Sequence, residues 1–155
     1  MTRKSVALLS SAFLLGLLAG CGNPDGIDVN SDGSMDVETE EGSARIGTQS
    51  MPADWPEDVP SYPGATVSYS ASMNPQTGKP GMAVVLASTD AIAKVAAYYK
   101  TELASRGWTV DTAMEATGTS IFSAKKDDRT ISLLIAEADG QTTITMAIET
   151  GEAEE

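Results

Sequence analysis

The sequence predicts an α+β domain in which one long helix packs on one face of a single antiparallel sheet, with elements in the order ββαββββ. Three observations carry this reading. Apolar and hydroxyl residues alternate strictly over 65–73. A stripe with helical spacing follows at Ile92, Val95, Ala96, Tyr99 and Leu103, and four apolar segments divided by short turns close the chain.

The N-terminus comes first. Met1-Thr2-Arg3-Lys4 is a short cationic segment, and Val6 to Leu18 is an apolar run interrupted only by Ser10, Ser11 and Gly16. The run falls short of the roughly 20 apolar residues that a spanning helix needs. It ends in Leu18-Ala19-Gly20-Cys21, two small residues beside the only cysteine of the chain. This stretch resembles the lipobox of bacterial lipoproteins. The resemblance implies that signal peptidase II reads Leu18, Ala19 and Gly20, that residues 1–20 are removed as a signal peptide, and that Cys21 carries diacylglycerol and an N-linked acyl chain such as palmitate. Each buried methylene contributes about 0.8 kcal/mol, so several chains on one cysteine make a stable membrane anchor. The expected location is the extracytoplasmic side of the cell envelope. Gly22, where an aspartate would retain an enteric-type lipoprotein at the inner membrane, favours the outer membrane if two are present.

Residues 21–50 are rich in Gly, Ser, Asp and Glu and poor in large apolar side chains, the composition of an acidic flexible tether. Within it, Asp28, Asn30, Asp32 and Asp36 fall at positions 1, 3, 5 and 9 of an EF-hand-like calcium loop, with Gly33 at position 6 and Ser34 at position 7. Position 12 is Thr39 instead of a bidentate carboxylate, and neither flank is helical. A calcium-responsive sensor or adhesion module built on these four residues is therefore the alternative function. Alternation over 35–39 and a return over 43–46 predict a short hairpin at 35–46 that needs the folded body to pack against.

The segment 51–64 is Pro-rich, and its prolines predict an extended strap into the domain. Trp55, Val59 and Tyr62 are read as completing a small core. A proline-rich ligand or a sugar-stacking strip is the competing reading. The stretch from Pro52 to Ala65, with Tyr98-Tyr99 and Gly107-Trp108 later, resembles bacterial lipoproteins of uncharacterised activity, and that resemblance implies no chemistry.

The globular domain spans 65–150. Strands are predicted over 65–73 and 82–87, the second more continuously apolar and so central. Ser88-Thr89-Asp90 supplies an N-cap for a helix to about Ser105, which Gly107 closes in a left-handed conformation that lets Trp108 pack on Leu103. Strands follow over 108–115, 119–125, 129–136 and 142–149, with Lys125, Lys126 and Arg129 at a solvated hairpin tip. Residues 151–155 are an acidic tail.

Composition narrows the function. There is no histidine, which removes His-based triads and the usual zinc ligands. With residues 1–20 removed, eight basic residues face 22 acidic ones, a net charge of −14 that repels nucleic acid. No phosphate-binding glycine loop or nucleophile elbow occurs. The reading is a non-enzymatic binding or structural domain without a cofactor beyond the lipid on Cys21, held to the membrane and facing an envelope partner that the sequence does not identify.

Overall fold

The computed structural model describes residues 26–39, 42–73 and 80–149, which form nine strands and one helix. The elements are β1 (Ile27–Val29), β2 (Met35–Thr39), β3 (Gly42–Gln49), β4 (Thr66–Met73), β5 (Pro80–Ser88), α1 (Ile92–Ser105), β6 (Thr109–Ala116), β7 (Thr119–Lys126), β8 (Arg129–Ala138) and β9 (Gln141–Glu149). They build one antiparallel sheet in the order β1-β2-β3-β4-β5-β9-β8-β7-β6. Two meanders meet at the β5–β9 ladder, and α1 carries the chain from the centre of the sheet to its far edge.

This overturns the expected α+β domain with a single antiparallel sheet in the order ββαββββ and one long helix on one face. The fold is sheet-dominated, because residues 27–49, which composition reads as tether, add three strands before β4. Edge strands gain ladder hydrogen bonds without a buried apolar face, so their sequence carries little hydrophobic signal. Met35 and Ile46 are indeed exposed. The predicted hairpin is seen as β2 and β3, paired from Met35↔Ile46 to Thr39↔Gly42.

The core lies between one sheet face and α1. Val95, Ala96, Tyr99 and Leu103 of the helix face Phe122, Ile131, Leu133, Ile135, Ile144 and Met146, all buried. The helix N-cap is Ala91, which makes no side-chain capping bond, in place of the predicted Ser88-Thr89-Asp90 cap. Asp90 is drawn elsewhere: it accepts hydrogen bonds from Tyr62 at 2.7 Å and Lys94 at 2.9 Å. Those contacts, Lys94 first, hold its carboxyl below the usual range. Burial and this hydrogen bond push the Tyr62 phenol up to about 12. At the other end Gly107 has φ +85, its N–H donates to the Ala104 carbonyl, and the Trp108 N–H reaches Leu103 O at 3.0 Å. This paired geometry stops the helix and turns Trp108 onto Leu103.

The strap is a chain of turns, not an extended segment. Trp55 N–H donates to Pro52 O, Val59 to Pro56 O and Ala65 to Tyr62 O, each near 3.0 Å. In the last of these Pro63 presets the first corner and Gly64 at φ +76 supplies the second of a type II turn, whereas Pro52 and Pro56 stand one residue before the corners and give the accepting carbonyls. Trp55, Val59 and Tyr62 are buried in the core, which sets aside their use as a ligand strip.

Asp58 pins this strap. It accepts two bonds from Arg129, at 3.0 and 2.7 Å, and one from Lys126 at 2.7 Å. Arg129 also lies over the Trp108 ring at 5.0 Å, and Trp108 Nε1 donates to Asp58 O at 3.1 Å. The predicted solvated tip is thus corrected for Lys126 and Arg129, which reach back about 70 residues to the strap. Lys125 points the other way and pairs with Asp111.

Candidate functional site

Helix α1 packs on β6, β7 and β8, and Val67, Val84 and Leu86 of β4 and β5 are buried in the core with the strap; beyond them the β2–β3 end of the same sheet face, with Ser70, Ser72 and Met82, stays open. A cleft of about 870 Å³ opens there. Its floor is laid by Asp36, Arg45, Ser70, Ser72 and Met82, and its wall by the chain running from Gln49 to Asp54 into the strap.

A β-bulge makes this floor polar. Val67 pairs with Leu86 on the helix face, but the register shifts before Tyr69, which pairs with Val85 on the opposite face. The strict alternation over 65–73 would have sent Val67, Tyr69 and Ala71 to one face. The extra residue reverses the assignment beyond Ser68, so Ser70 sits opposite Val84 on the helix side. A second irregularity in β3 between Ile46 and Gln49 contains Gly47 at φ +116, where an added Cβ would lie 2.9 Å from the Ser34 Cα. That glycine lets the β1–β2 turn close over β3.

The cleft's hydroxyls are held in place. Ser70 Oγ donates to Gln49 Oε1 at 3.0 Å, the Ser43 N–H donates to Ser72 Oγ at 2.8 Å, and Gln49 Nε2 donates to Arg45 O at 3.1 Å. Arg45 grips Asp36 with two donors, and this pairing, with the Asn30 amide second, draws the Asp36 carboxyl down to about 2. The neutral amide oxygen facing Ser70 takes up no proton, so this serine is not activated as a nucleophile. Asp32, Glu38 and Asp54 leave the cleft net acidic around one paired arginine, and Met51, Pro52 and Met82 give it an apolar end. It can therefore offer hydrogen bonds to a neutral or cationic polar molecule and repel anions.

The four calcium-pattern residues sit in and beside the β1–β2 turn. Asn30 Nδ2 donates to Ser34 Oγ and to Asp36 Oδ2, each at 3.0 Å, while Asp32 Oδ1 accepts from the Ser34 N–H at 3.0 Å and from Ser34 Oγ at 2.7 Å. Asp28 stands opposite Asp36 in the ladder, and Thr39 ends β2 opposite Gly42. In this arrangement Asn30, Asp32, Ser34 and Asp36 bond to one another, and Asp36 also to Arg45, which closes the hairpin. Among the described residues no group of three or more His, Cys, Asp or Glu side chains is placed to hold a metal ion. Titration with calcium to millimolar concentration is expected to release no heat and leave the thermal midpoint unmoved; a saturable heat lost in Asp32→Asn would contradict this. Leu18, Ala19, Gly20 and Cys21 lie outside the described residues.

Sequence reasoning missed Ser43, Arg45, Ser70 and Ser72. The even-numbered hydroxyls of 65–73 were the available signal, but they read as a solvated face until the bulge is known.

The match to known families bears on the same part of the chain. Residues 67–142 match a family model described as START domain-like. The matched segment runs from β4 to the start of β9 and excludes β1–β3 and the strap. It supports a small ligand-binding domain and is compatible with binding without catalysis. No curated protein and no solved structure shows significant similarity to the chain.

Proposed function

We propose that the chain is a lipid-anchored protein of the cell envelope whose domain binds a small, hydroxyl-rich neutral or cationic molecule in the cleft on β2–β5 and does not transform it. The cleft carries the binding half of this reading: a recess of about 870 Å³ whose serines and ion pair are already oriented by their own hydrogen bonds. Preorganised polar groups lose little entropy on binding, and the methionines at one end add apolar contact. The START domain-like match of residues 67–142 supports a ligand-binding domain.

The anchoring half rests on Leu18-Ala19-Gly20-Cys21 and the apolar run before it. No helix among the described residues is long and apolar enough to cross a membrane. Lipid on Cys21 would hold the domain at the extracytoplasmic surface, where its acidic charge disfavours nucleic acid and anionic ligands.

Two measurements test the two halves separately. A clickable palmitate analogue fed to producing cells should label the wild-type chain and not Cys21→Ser; equal labelling of both contradicts the anchor. In calorimetry on the full chain, a neutral disaccharide and spermidine serve as probes. At least one should bind at sub-millimolar concentration, and Ser72→Trp, which fills the cleft from an exposed floor position, should weaken it at least tenfold. No binding of either probe, or equal binding by the variant, contradicts the cleft.

A further inference from the structure

The sheet face opposite α1 has a composition that neither the anchor nor the cleft uses. Following the pairing across the ladders, one transverse row runs from Val29 in β1 through Ile46, Tyr69, Val85 and Leu134 to Met114 in β6, with Met35, Thr145 and Ile121 at the intervening strands. Among the described residues, the exposed large hydrophobic side chains are those of Met35, Ile46, Met114, Ile121, Leu134 and Val29 in this row, and Ile27 in the adjacent row of the same face. Soluble surfaces normally scatter such residues; here they are gathered on one face.

Beyond Ile27 and Val37, which open one of them, the rows on either side are small. Ala44, Ala71, Ala83, Ala147 and Ser132 follow one another on one flank, and Thr66, Ala87, Thr143, Ala136 and Thr119 on the other. None of these positions carries a charge, although the chain has a net charge of −12. Charge returns only at the rim, where Lys125 pairs with Asp111 and Glu149 stands in the next row. The face is therefore a ridge of large apolar side chains between two shallow grooves of alanine, serine and threonine.

From this geometry we infer that the face binds a second copy of the same chain, sheet against sheet. A ridge flanked by grooves is self-complementary: under two-fold symmetry each ridge seats in a groove of the other copy, the isologous contact typical of homodimers. The size fits. Nine strands about 4.8 Å apart and three rows about 6.8 Å apart span roughly 600–800 Å², close to the about 800 Å² per partner of a stable interface. Charge permits this occupant, because the face carries none and two acidic copies meet there with the least repulsion.

The test uses the full-length chain in its producing cells, co-expressed with two different epitope tags. A photo-crosslinking residue at Ser132, in a groove row, should give a product of about twice the chain mass containing both tags. The same probe at Ala97, exposed on α1, should give none. Leu134→Lys, an exposed position whose replacement leaves the core intact, should cut the Ser132 product at least tenfold while circular dichroism stays unchanged. A Ser132 adduct only with lipid or with another protein, or a doubled product that Leu134→Lys does not reduce, overturns the proposal.

Discussion

Asp58→Ala is expected to destabilise the domain by about 2–3 kcal/mol, below the range for fully buried pairs because solvent still reaches the cluster. The carboxylate accepts from both Arg129 donors and from Lys126. Removing it leaves two half-buried cations, Lys126 and Arg129, without the carboxylate they share and frees the strap that carries Trp55, Val59 and Tyr62 into the core. Arg129, then Lys126, draw the Asp58 carboxyl down to about 2 from an ordinary value of 3.8. A depressed folded-state value contributes stability that is fully present above the unfolded value near 4 and is lost as pH falls through about 2. At neutral pH that contribution is about 2 kcal/mol. Urea denaturation of wild type and Asp58→Ala should therefore show a gap at pH 7 that narrows toward pH 2. A gap under about 0.5 kcal/mol at pH 7, the scale of an ordinary surface substitution, or one that does not change with pH, would show that the cluster is ornamental.

The second large effect is expected from Gly81→Ala. A Cβ at this position would stand 2.2 Å from the Ile148 carbonyl oxygen, backbone that cannot swing aside. The contact falls on the β5–β9 ladder, the only strand pairing between the two meanders among the described residues. Relieving it must break or shift ladder hydrogen bonds, for an expected loss of about 2–4 kcal/mol. Gly118→Ala is the matched control: its φ of +76 is strained for alanine, yet nothing lies within 4 Å of the added atom, so only about 1–2 kcal/mol should be lost. Denaturation midpoints that rank the two variants in the opposite order would contradict the close approach.

Local chemistry was legible in the sequence. The spacing of Ile92, Val95, Ala96, Tyr99 and Leu103 locates α1, and Gly107 marks its end together with the return of Trp108. The strands of the C-terminal meander lie within two residues of their predicted limits, since two-residue turns such as Asp127-Asp128 and Asp139-Gly140 announce themselves by residue type. What stayed hidden depends on partners far away in the chain. The β2–β3 hairpin could be read from its alternation, but β1 and the joining of β3 to β4 could not, because those ladders are made by backbone and bury no apolar face. Lys126 and Arg129 look solvated until the strap brings Asp58 to them. Asp90 looks like a helix cap until Tyr62 and Lys94 claim it. The cleft was invisible for a single reason: the extra residue at Ser68 exchanges the two faces of β4, turning a presumed outer row of hydroxyls into the floor of a recess. A one-residue slip has this effect because side chains on a strand alternate with period two.

The most direct measurement is backbone NMR of the full chain titrated with whichever of the two probes binds, reading which amides move. Binding in the cleft predicts shifts centred on Ser43, Arg45, Ser70 and Ser72, with α1 unmoved. The competing place for a ligand is the helix–sheet core, where the hydroxyls of Tyr99 and Ser120 are buried without hydrogen-bond partners. Shifts centred on Tyr99, Phe122 and Leu133 instead would contradict the cleft and put the binding site beneath the helix.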